Sequence, residues 1–229
     1  MIPFFIEIAN IFYPHTCQGC SVVLTTNENT ICTNCLYELP LTKYLKNNDN
    51  AIEKKFYGRI KIEKATSLLF YHKKGIVKEL IHNLKYRGQE KIGYFLGNWL
   101  GREIKKYGFY NDIDYIIPVP LHKKRLKERG YNQVTKFGEQ LAYHLNKPLK
   151  ENLLLRKSTN FTQTKKSRID RWKNVKEIFS VSNISALENK HILLIDDIIT
   201  TGATLESCAN VLLKAKNIRI SIAVMAVAE

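Results

Sequence analysis

The stretch LLIDDIITTGAT, residues 193–204, places two adjacent carboxylates after an apolar run. Neighbouring charges at the end of a buried strand repel each other and must be solvated or paired, so stability does not explain them. Carboxylates such as Asp196 and Asp197 can accept hydrogen bonds from vicinal hydroxyls, for example those of a ribose. The pair therefore indicates a site for a sugar.

The residues that follow the acids suit a phosphate. A helix is predicted from about Thr204, and backbone amides at a helix N-terminus, with nearby hydroxyls, bind anions. A glycine there lets the backbone approach the ligand closely. Together with the acids, these residues predict a ribose 5-phosphate site. The alternative is an N-capped helix after a strand, with two solvated aspartates, which explains one acid and one threonine but not the whole string. The predicted phosphate-binding residues are Thr200, Thr201, Gly202, Ala203 and Thr204.

Four cysteines near the N-terminus, Cys17, Cys20, Cys32 and Cys35, have the spacing C-x2-C-x11-C-x2-C. Two such knuckles are typical of a structural, tetrahedral zinc site, and metal binding would supply the folding energy of so small a module. The alternatives are a redox pair or disulfides, which a cytoplasmic protein rarely keeps, or a site that has lost its metal. Cys208 stands apart in a predicted helix, where it is expected to be a small core residue.

The charge is concentrated in the middle of the chain. The formal net charge is +15, and residues 51–190 carry 31 bases against 13 acids. A basic belt favours phosphate-rich partners such as nucleotides, pyrophosphate or nucleic acid, and its alternative is a solvated, lysine-rich surface. We expect a cytoplasmic protein without a membrane span, because no run of eighteen apolar residues exists and the apolar N-terminus, with Phe4, Ile8, Ile11 and Phe12 on one helical face, suits a packing helix.

The elements that must position these residues alternate between strands and helices from residue 113 onward. This pattern predicts an α/β fold with a parallel sheet, in which ligands bind at the carboxyl ends of strands. Residues 44–63 are polar and are predicted to be a linker. Strands are predicted at 67–72, 114–120, 177–181, 191–196 and 218–228, and helices around 76–86, 92–104, 132–146 and 204–216.

The sequence resembles two known groups of proteins. ILLIDDIITTGAT is similar to the phosphoribosyl pyrophosphate (PRPP) motif of type I phosphoribosyltransferases. The chain as a whole resembles the ComF family, through the cysteine module, the LKYRG stretch at 84–88 and PVPLHKKRLKERGYNQ at 118–133. The resemblance implies a type I phosphoribosyltransferase fold at 61–229 after a zinc-binding module and linker at 1–60. It also implies binding of PRPP with Mg²⁺, with the two acids on the ribose hydroxyls and residues 200–204 on the 5-phosphate.

Two basic stretches compete for the pyrophosphate. The resemblance favours the stretch after the second predicted strand, with Lys123, Lys124, Arg125 and Arg129. The other stretch, residues 156–176, carries eight bases and one acid, and its length and polarity suggest a mobile lid. Its bases Lys165, Lys166, Arg168 and Arg171 are also candidates for binding single-stranded DNA, because Tyr131, Phe161 and Trp172 are interleaved with the basic residues. The histidines at 82, 122 and 191 are expected to be surface or capping residues.

Two classes of function remain open. The first is an enzyme that displaces pyrophosphate from PRPP with a nitrogen nucleophile, for which no protein nucleophile is needed and no acceptor is identified. The second is a protein that handles single-stranded nucleic acid and uses the same scaffold for binding without catalysis. By the resemblance, either would act in DNA uptake during natural competence, with competence-machinery proteins as possible partners.

Overall fold

A computed structural model describes residues 14–46, 50–157 and 178–228. Two predictions lie outside these ranges: the N-terminal helix and the candidate DNA-binding residues Lys165, Lys166, Arg168 and Arg171. None of the helices in the described ranges is long and apolar enough to cross a membrane. The strands are β1 (Ala65–Tyr71), β2 (Tyr115–Pro118), β3 (Leu154–Arg156), β4 (Phe179–Val181), β5 (His191–Ile199) and β6 (Arg219–Ala228). The α-helices are α1 (Thr33–Tyr37), α2 (Ala51–Phe56), α3 (Ile76–Tyr86), α4 (Lys91–Tyr107), α5 (Lys123–Arg129), α6 (Thr135–Leu145) and α7 (Ala203–Leu212).

Four strands form a parallel sheet in the order β1-β6-β5-β2, while β3 and β4 form a separate antiparallel pair. The predicted α/β class is confirmed. Strand β5 is central, because it pairs with β2 through residues 192–195 and with β6 as far as Ile199. It extends three residues beyond the predicted end at 196. The carboxyl ends of β2 and β5 therefore meet at one edge of the sheet.

Helices cover both faces of the sheet, as its apolar strands require. Helices α3, α4 and α6 bury their apolar residues on one face, and α2 and α7 bury theirs on the other. Helices α4 and α6 approach closely at Gly97, where an added Cβ would lie 2.6 Å from the carbonyl oxygen of Phe137. This contact brings α6, and the Gln133 just before it, close to the carboxyl edge of the sheet.

The cysteine module shares the core of the sheet domain. Cys17, Cys32 and Cys35 are buried in the same cluster as α3 and α4. The Asn83 side-chain amide on α3 donates to the carbonyl oxygen of Gln18 at 2.9 Å. The proposed boundary at residue 60 therefore separates two parts that pack against each other.

The segment predicted as a linker contains helix α2, so that prediction is wrong for residues 51–56. Asn50 caps the helix by accepting hydrogen bonds from the amides of Ile52 and Glu53. Ile52 and Phe56 are fully buried against the α7 face of the sheet. One apolar pair at i and i+4 is too short to show a period, which explains why the pattern hid this helix.

Two further expectations differ from the structure. The basic stretch after β2, for which the sequence predicted no helix, forms α5, which has no buried residue and therefore no apolar face to reveal it. His122 caps this helix, as expected, by accepting a hydrogen bond from the Lys124 amide. His191, expected at the surface or at a cap, is buried instead, with its Nε2 2.9 Å from the Ser221 hydroxyl.

We expect Phe56→Ala to lower the free energy of unfolding by about 3–5 kcal/mol, because the substitution removes a fully buried ring. Tyr57→Ala is the matched control: its ring is 65% exposed, so a change within about 0.5 kcal/mol is expected. Urea unfolding of both variants measures the difference. Equal effects of the two substitutions would contradict the packing of α2 against the sheet.

Candidate functional site

The turn between β5 and α7 exposes a helix N-terminus. Gly202 caps α7 with a φ of 79°, a left-handed conformation that favours glycine, and has no side chain of its own to cap the helix; the first amide of α7, that of Ala203, donates a long hydrogen bond of 3.4 Å to the Thr201 hydroxyl. Thr200, Thr201, Ala203 and Thr204 are exposed around it. The structure therefore brings the predicted phosphate-binding residues together, with Gly202 buried and the other four exposed around it.

Helix α2 supports this turn from beneath. A Cβ added at Gly202 would lie 3.0 Å from the ring of Phe56. Arg59 donates a hydrogen bond to the carbonyl oxygen of Thr201 at 2.9 Å and pairs with Glu206 on α7. These contacts hold the turn to the rest of the fold. They come from the segment predicted as a linker, and no sequence signal pointed to them.

The two acids have different surroundings because successive side chains of a strand point to opposite faces. Asp197 is buried on the α3 and α6 side. Its Oδ1 lies 2.9 Å from Lys85 Nζ, and its Oδ2 accepts a hydrogen bond from Gln133 Nε2 at 2.6 Å. Asp196 retains some solvent exposure, although protein atoms surround its carboxyl, and it accepts a hydrogen bond from the Asp197 amide at 2.8 Å. Asp196 is therefore the acid with fewer protein partners and the better placed of the two to meet a ligand.

Burial and the neighbouring charge of Asp197 raise the pKa of Asp196 to about 8. The Asp197 amide and the cations Lys85 and Arg156 act in the opposite direction but do not outweigh them. One carboxylate of the pair is thus held by Lys85, while loss of the proton from Asp196 is disfavoured.

Three sequence motifs meet at Asp197. Lys85 belongs to the LKYRG stretch, Gln133 ends the PVPLHKKRLKERGYNQ stretch, and Asp197 lies in the DDIITTGAT stretch. The sequence marked these stretches but did not indicate that Lys85 and Gln133 hold an aspartate. Gln133 lies 64 positions before Asp197 in the chain and Lys85 lies 112 positions before it, so only the fold brings the three residues together.

The predicted pyrophosphate residues are separated by the structure. Arg125 and Arg129 line a pocket of about 200 Å³ next to Lys85, whereas Lys123 lines a different, larger cavity of about 680 Å³. Lys124 is exposed and lies 4.0 Å from Glu128. Arg129 is linked to the acids through one side chain, because it donates a hydrogen bond to Gln133, which donates to Asp197.

Arg156, at the end of β3, is a further cation of this region. Its guanidinium carbon lies 5.3 Å from the centre of the Phe179 ring, and its Nε is buried without a hydrogen-bond partner in the described ranges. Burial, and then the charge of Arg125, lower its pKa. It was counted in the basic stretch at 156–176 but was not singled out, since nothing in its sequence neighbourhood distinguishes it.

The four cysteines come together as the spacing predicts. Their sulfur atoms all lie within 4.8 Å of one another, which could hold a metal ion. Burial alone would raise the pKa of Cys17, but the amides of Cys32, Cys20 and Gly19 lower it to about 7 and so favour a thiolate. Cys208 is fully buried in α7, as expected for a core residue.

A polar group of His191, Asp112 and Ser221 lies at the opposite edge of the sheet. His191 Nδ1 lies 3.1 Å from Asp112, and Asp112 also accepts a hydrogen bond from Arg219 at 2.7 Å. Although Ser221, His191 and Asp112 resemble a nucleophile with its base, Ser221 is completely buried. The group ties the starts of β5 and β6 together and offers no reactive hydroxyl to a substrate.

Comparison with known proteins agrees with this architecture. The family model described as phosphoribosyl transferase domain matches residues 135–228. Competence protein F of Haemophilus influenzae is 28% identical over 214 residues, which cover 89% of this chain and 93% of that protein. Competence protein ComFC of Bacillus subtilis is 36% identical over 140 residues, covering 61% of this chain and 54% of that protein. DNA utilization protein YhgH of Salmonella typhi is 28% identical over 138 residues, covering 59% and 60% respectively. The matches to ComFC and YhgH thus span less than two thirds of those proteins.

The raised pKa of Asp196 predicts a pH dependence of stability. The folded protein keeps a proton that an unfolded aspartate, with a pKa of about 4, has already lost. The free energy of unfolding should therefore decrease as the pH rises from about 4 to about 8, by at most about 1.4 kcal/mol per pH unit from this group, and level off above that range. Asp196→Asn should remove this contribution, so the variant gains stability relative to the wild type as the pH rises.

Urea unfolding near pH 5 and near pH 8 measures this effect, with Glu188→Gln as the control, since Glu188 is exposed. A difference between Asp196→Asn and the wild type that is the same at both pH values would contradict the assigned protonation.

Proposed function

We propose, on the premise that this chain is a ComF-family protein with a type I phosphoribosyltransferase-like domain, that the turn between β5 and α7 binds PRPP together with Mg²⁺. The observation that carries the proposal is the exposed N-terminus of α7, which begins behind a glycine shortly after Asp196 and Asp197. A phosphate at this position would receive hydrogen bonds from backbone amides and from the hydroxyls of Thr200, Thr201 and Thr204.

The two acids would contribute unequally to ribose binding. Both oxygens of Asp197 already have partners in Lys85 and Gln133, so Asp197 would hold its charge in a fixed place beside the sugar. Asp196 would make the more direct contact with the ribose hydroxyls. Its protonated carboxyl can donate one hydrogen bond and accept others.

The pyrophosphate would lie towards the cations of this edge. Arg125 and Arg129 line the pocket beside Lys85, and Arg156 offers an Nε without a protein partner in the described ranges. Mg²⁺ fits the chemistry of such a site, since it prefers oxygen ligands and keeps several waters, and the phosphate oxygens of PRPP would supply most of them. When bound, Mg²⁺ neutralises the charge of the leaving pyrophosphate. Transfer to an acceptor would then need only positioned reactants, without a protein nucleophile.

Zinc is the metal proposed for the cysteine cluster. Four sulfur ligands at mutual distances such as the 3.7 Å between Cys20 and Cys32 suit a tetrahedral ion with metal–sulfur bonds of about 2.3 Å. Amides of Gly19 and Cys32 donate to the sulfur of Cys17 and would stabilise its negative charge. A closed set of four thiolates gives zinc a structural role.

Binding of single-stranded DNA is a second candidate function. The net charge of the chain supports it, and so do the names of relatives: one is a DNA utilization protein and two are competence proteins. Its candidate residues are Lys165, Lys166, Arg168 and Arg171, which lie outside the described ranges. The support for DNA binding is therefore the net positive charge and not a described contact. A role in DNA uptake during competence, in the cytoplasm and with other competence proteins, is compatible with both candidates.

We expect Asp196→Asn to weaken binding of PRPP with Mg²⁺ by about 0.5–1.5 kcal/mol, because one hydrogen bond between a neutral carboxyl and a ribose hydroxyl is lost. Asp196 is preferred to Asp197 for this test, since replacing Asp197 would also leave Lys85 without its partner. Calorimetric titration measures the change, with Glu139→Gln as the control. Unchanged affinity in Asp196→Asn would remove the ribose assignment.

The same titration with a single-stranded oligonucleotide separates the two candidates. DNA binding through the basic stretch should weaken steeply with salt and decrease when Lys165, Lys166 and Arg168 are replaced together. An affinity that is insensitive to the triple replacement would show that these three residues do not bind DNA.

We expect one equivalent of zinc per chain in protein purified without added metal, measured by elemental analysis. Cys32→Ser should lose the metal and unfold the module, because binding energy and folding energy are coupled there. Cys208→Ser lies outside the cluster and should retain the full equivalent. Folded protein that contains no metal would refute the zinc assignment.

A further inference from the structure

Tyr86 presents an exposed aromatic ring next to the candidate site. Its side chain is 70% exposed, although it is the last residue of α3 and directly follows Lys85, which pairs with Asp197. His82, one turn earlier, lies with its ring centre 5.2 Å from that of Tyr86, at an angle of 44°. The ring is thus held beside the site by its own helix without being covered by the core.

Arg129 links this ring to the acids. Its guanidinium carbon lies 5.5 Å from the centre of the Tyr86 ring, a cation–π contact, and it also donates to the side chain of Gln133. Gln133 in turn donates to Asp197 at 2.6 Å. A continuous set of contacts therefore runs from the exposed ring to the buried carboxylate.

The pocket beneath Tyr86 is cationic. It has a volume of about 200 Å³, and its lining contains three bases and one acid: Lys85, Arg125, Arg129 and Glu128, together with Tyr86 and Gly88. This volume is below the range of about 300–1,000 Å³ that encloses a whole drug-sized ligand. The pocket suits a phosphate group, and any flat group attached to that phosphate would lie outside it, against Tyr86.

We propose that Tyr86 and the cationic pocket form a nucleotide subsite, in which the pocket binds a phosphate and the ring of Tyr86 stacks on the attached base. Aromatic rings stack on every type of base, and arginine adds a cation–π contribution. The subsite would present a nucleotide beside the ribose-binding acids. A free nucleotide and a nucleotide within a single strand share this chemistry.

The same cations are proposed above for the pyrophosphate of PRPP, so a nucleotide and PRPP would use the pocket in turn. The competing assignment gives the pocket to the pyrophosphate alone. Pyrophosphate has no flat group, so it would use Arg125 and Arg129 but leave the exposed ring of Tyr86 without a role. Replacing Tyr86 therefore separates the two assignments, whereas replacing an arginine does not. Because Tyr86 is exposed, its replacement leaves the core intact.

The test compares deoxyadenosine monophosphate with 2-deoxyribose 5-phosphate, which has the same phosphate but no base, by calorimetry. We expect the wild type to bind the nucleotide about 5- to 150-fold more tightly, the range that one stacked base provides. Tyr86→Ala should abolish this preference, and Tyr86→Phe should keep it. Equal affinities of the two ligands in the wild type, or an unchanged preference in Tyr86→Ala, would overturn the proposal.

Tyr143→Ala is the matched control. Tyr143 is 77% exposed and also contacts a histidine, His144, at 5.2 Å between ring centres, but it does not line this pocket. Its replacement should leave the preference for the nucleotide unchanged, and an equal loss in both variants would overturn the location. Arg125→Gln should weaken both ligands alike, while Arg102→Gln, an exposed arginine on α4, should weaken neither.

Two further measurements identify the source of the nucleotide and keep this proposal separate from PRPP binding. An oligodeoxyadenylate that competes with the mononucleotide would show that a strand enters the subsite, and failure to compete would restrict it to free nucleotides; each result supports a nucleotide site. Binding of PRPP is measured independently in Tyr86→Ala. If the wild type does not bind PRPP but the Tyr86-dependent preference for the nucleotide is present, the subsite stands without the proposed PRPP function.

Discussion

The ion pair between Lys85 and Asp197 is the interaction on which the candidate site depends. It is largely removed from solvent, with Lys85 Nζ 2.9 Å from Oδ1, and Gln133 occupies the other carboxylate oxygen. A buried carboxylate without such partners would be strongly destabilising. Lys85 lies on α3, Gln133 lies just before α6, and Asp197 lies on β5. These contacts therefore fix the position of two helices relative to the carboxyl edge of the sheet.

The consequence of this pair is a division of roles between adjacent acids. Asp197 holds the negative charge, and that charge together with burial raises the pKa of Asp196. An acid kept protonated near neutral pH costs stability as the pH rises, which is the kind of cost that binding sites carry. Gly202 is a second residue of the candidate site whose conformation is set by more than stability alone. Its left-handed backbone begins α7 with a residue that has no side chain to cap the helix, and the ring of Phe56 fills the space beneath it.

Much of this fold could be predicted from the sequence, because its strands and main helices carry long apolar patterns. The run at 191–195, the spacing of Ile92, Leu96, Leu100 and Ile104, and the paired cysteines all led to elements or clusters that the structure contains. Helices α2 and α5 were missed because one has a single apolar pair and the other has no buried residue. The partners of Asp197 could not be found in advance, since ion pairs between distant segments leave no periodic trace. The burial of His191 was hidden for the same reason: its partners Asp112 and Ser221 are remote in the chain.

The site proposed for the 5-phosphate of PRPP is the turn between β5 and α7. Phosphorus NMR can observe this contact, because the 5-phosphate and the diphosphate of PRPP give separate signals. With Mg²⁺ and the wild-type protein, the 5-phosphate signal should shift or broaden. With Gly202→Val, which places a side chain against Phe56 and strains the backbone, that response should disappear. Perturbation of the diphosphate signals alone, with an unaltered 5-phosphate signal in the wild type, would contradict the account.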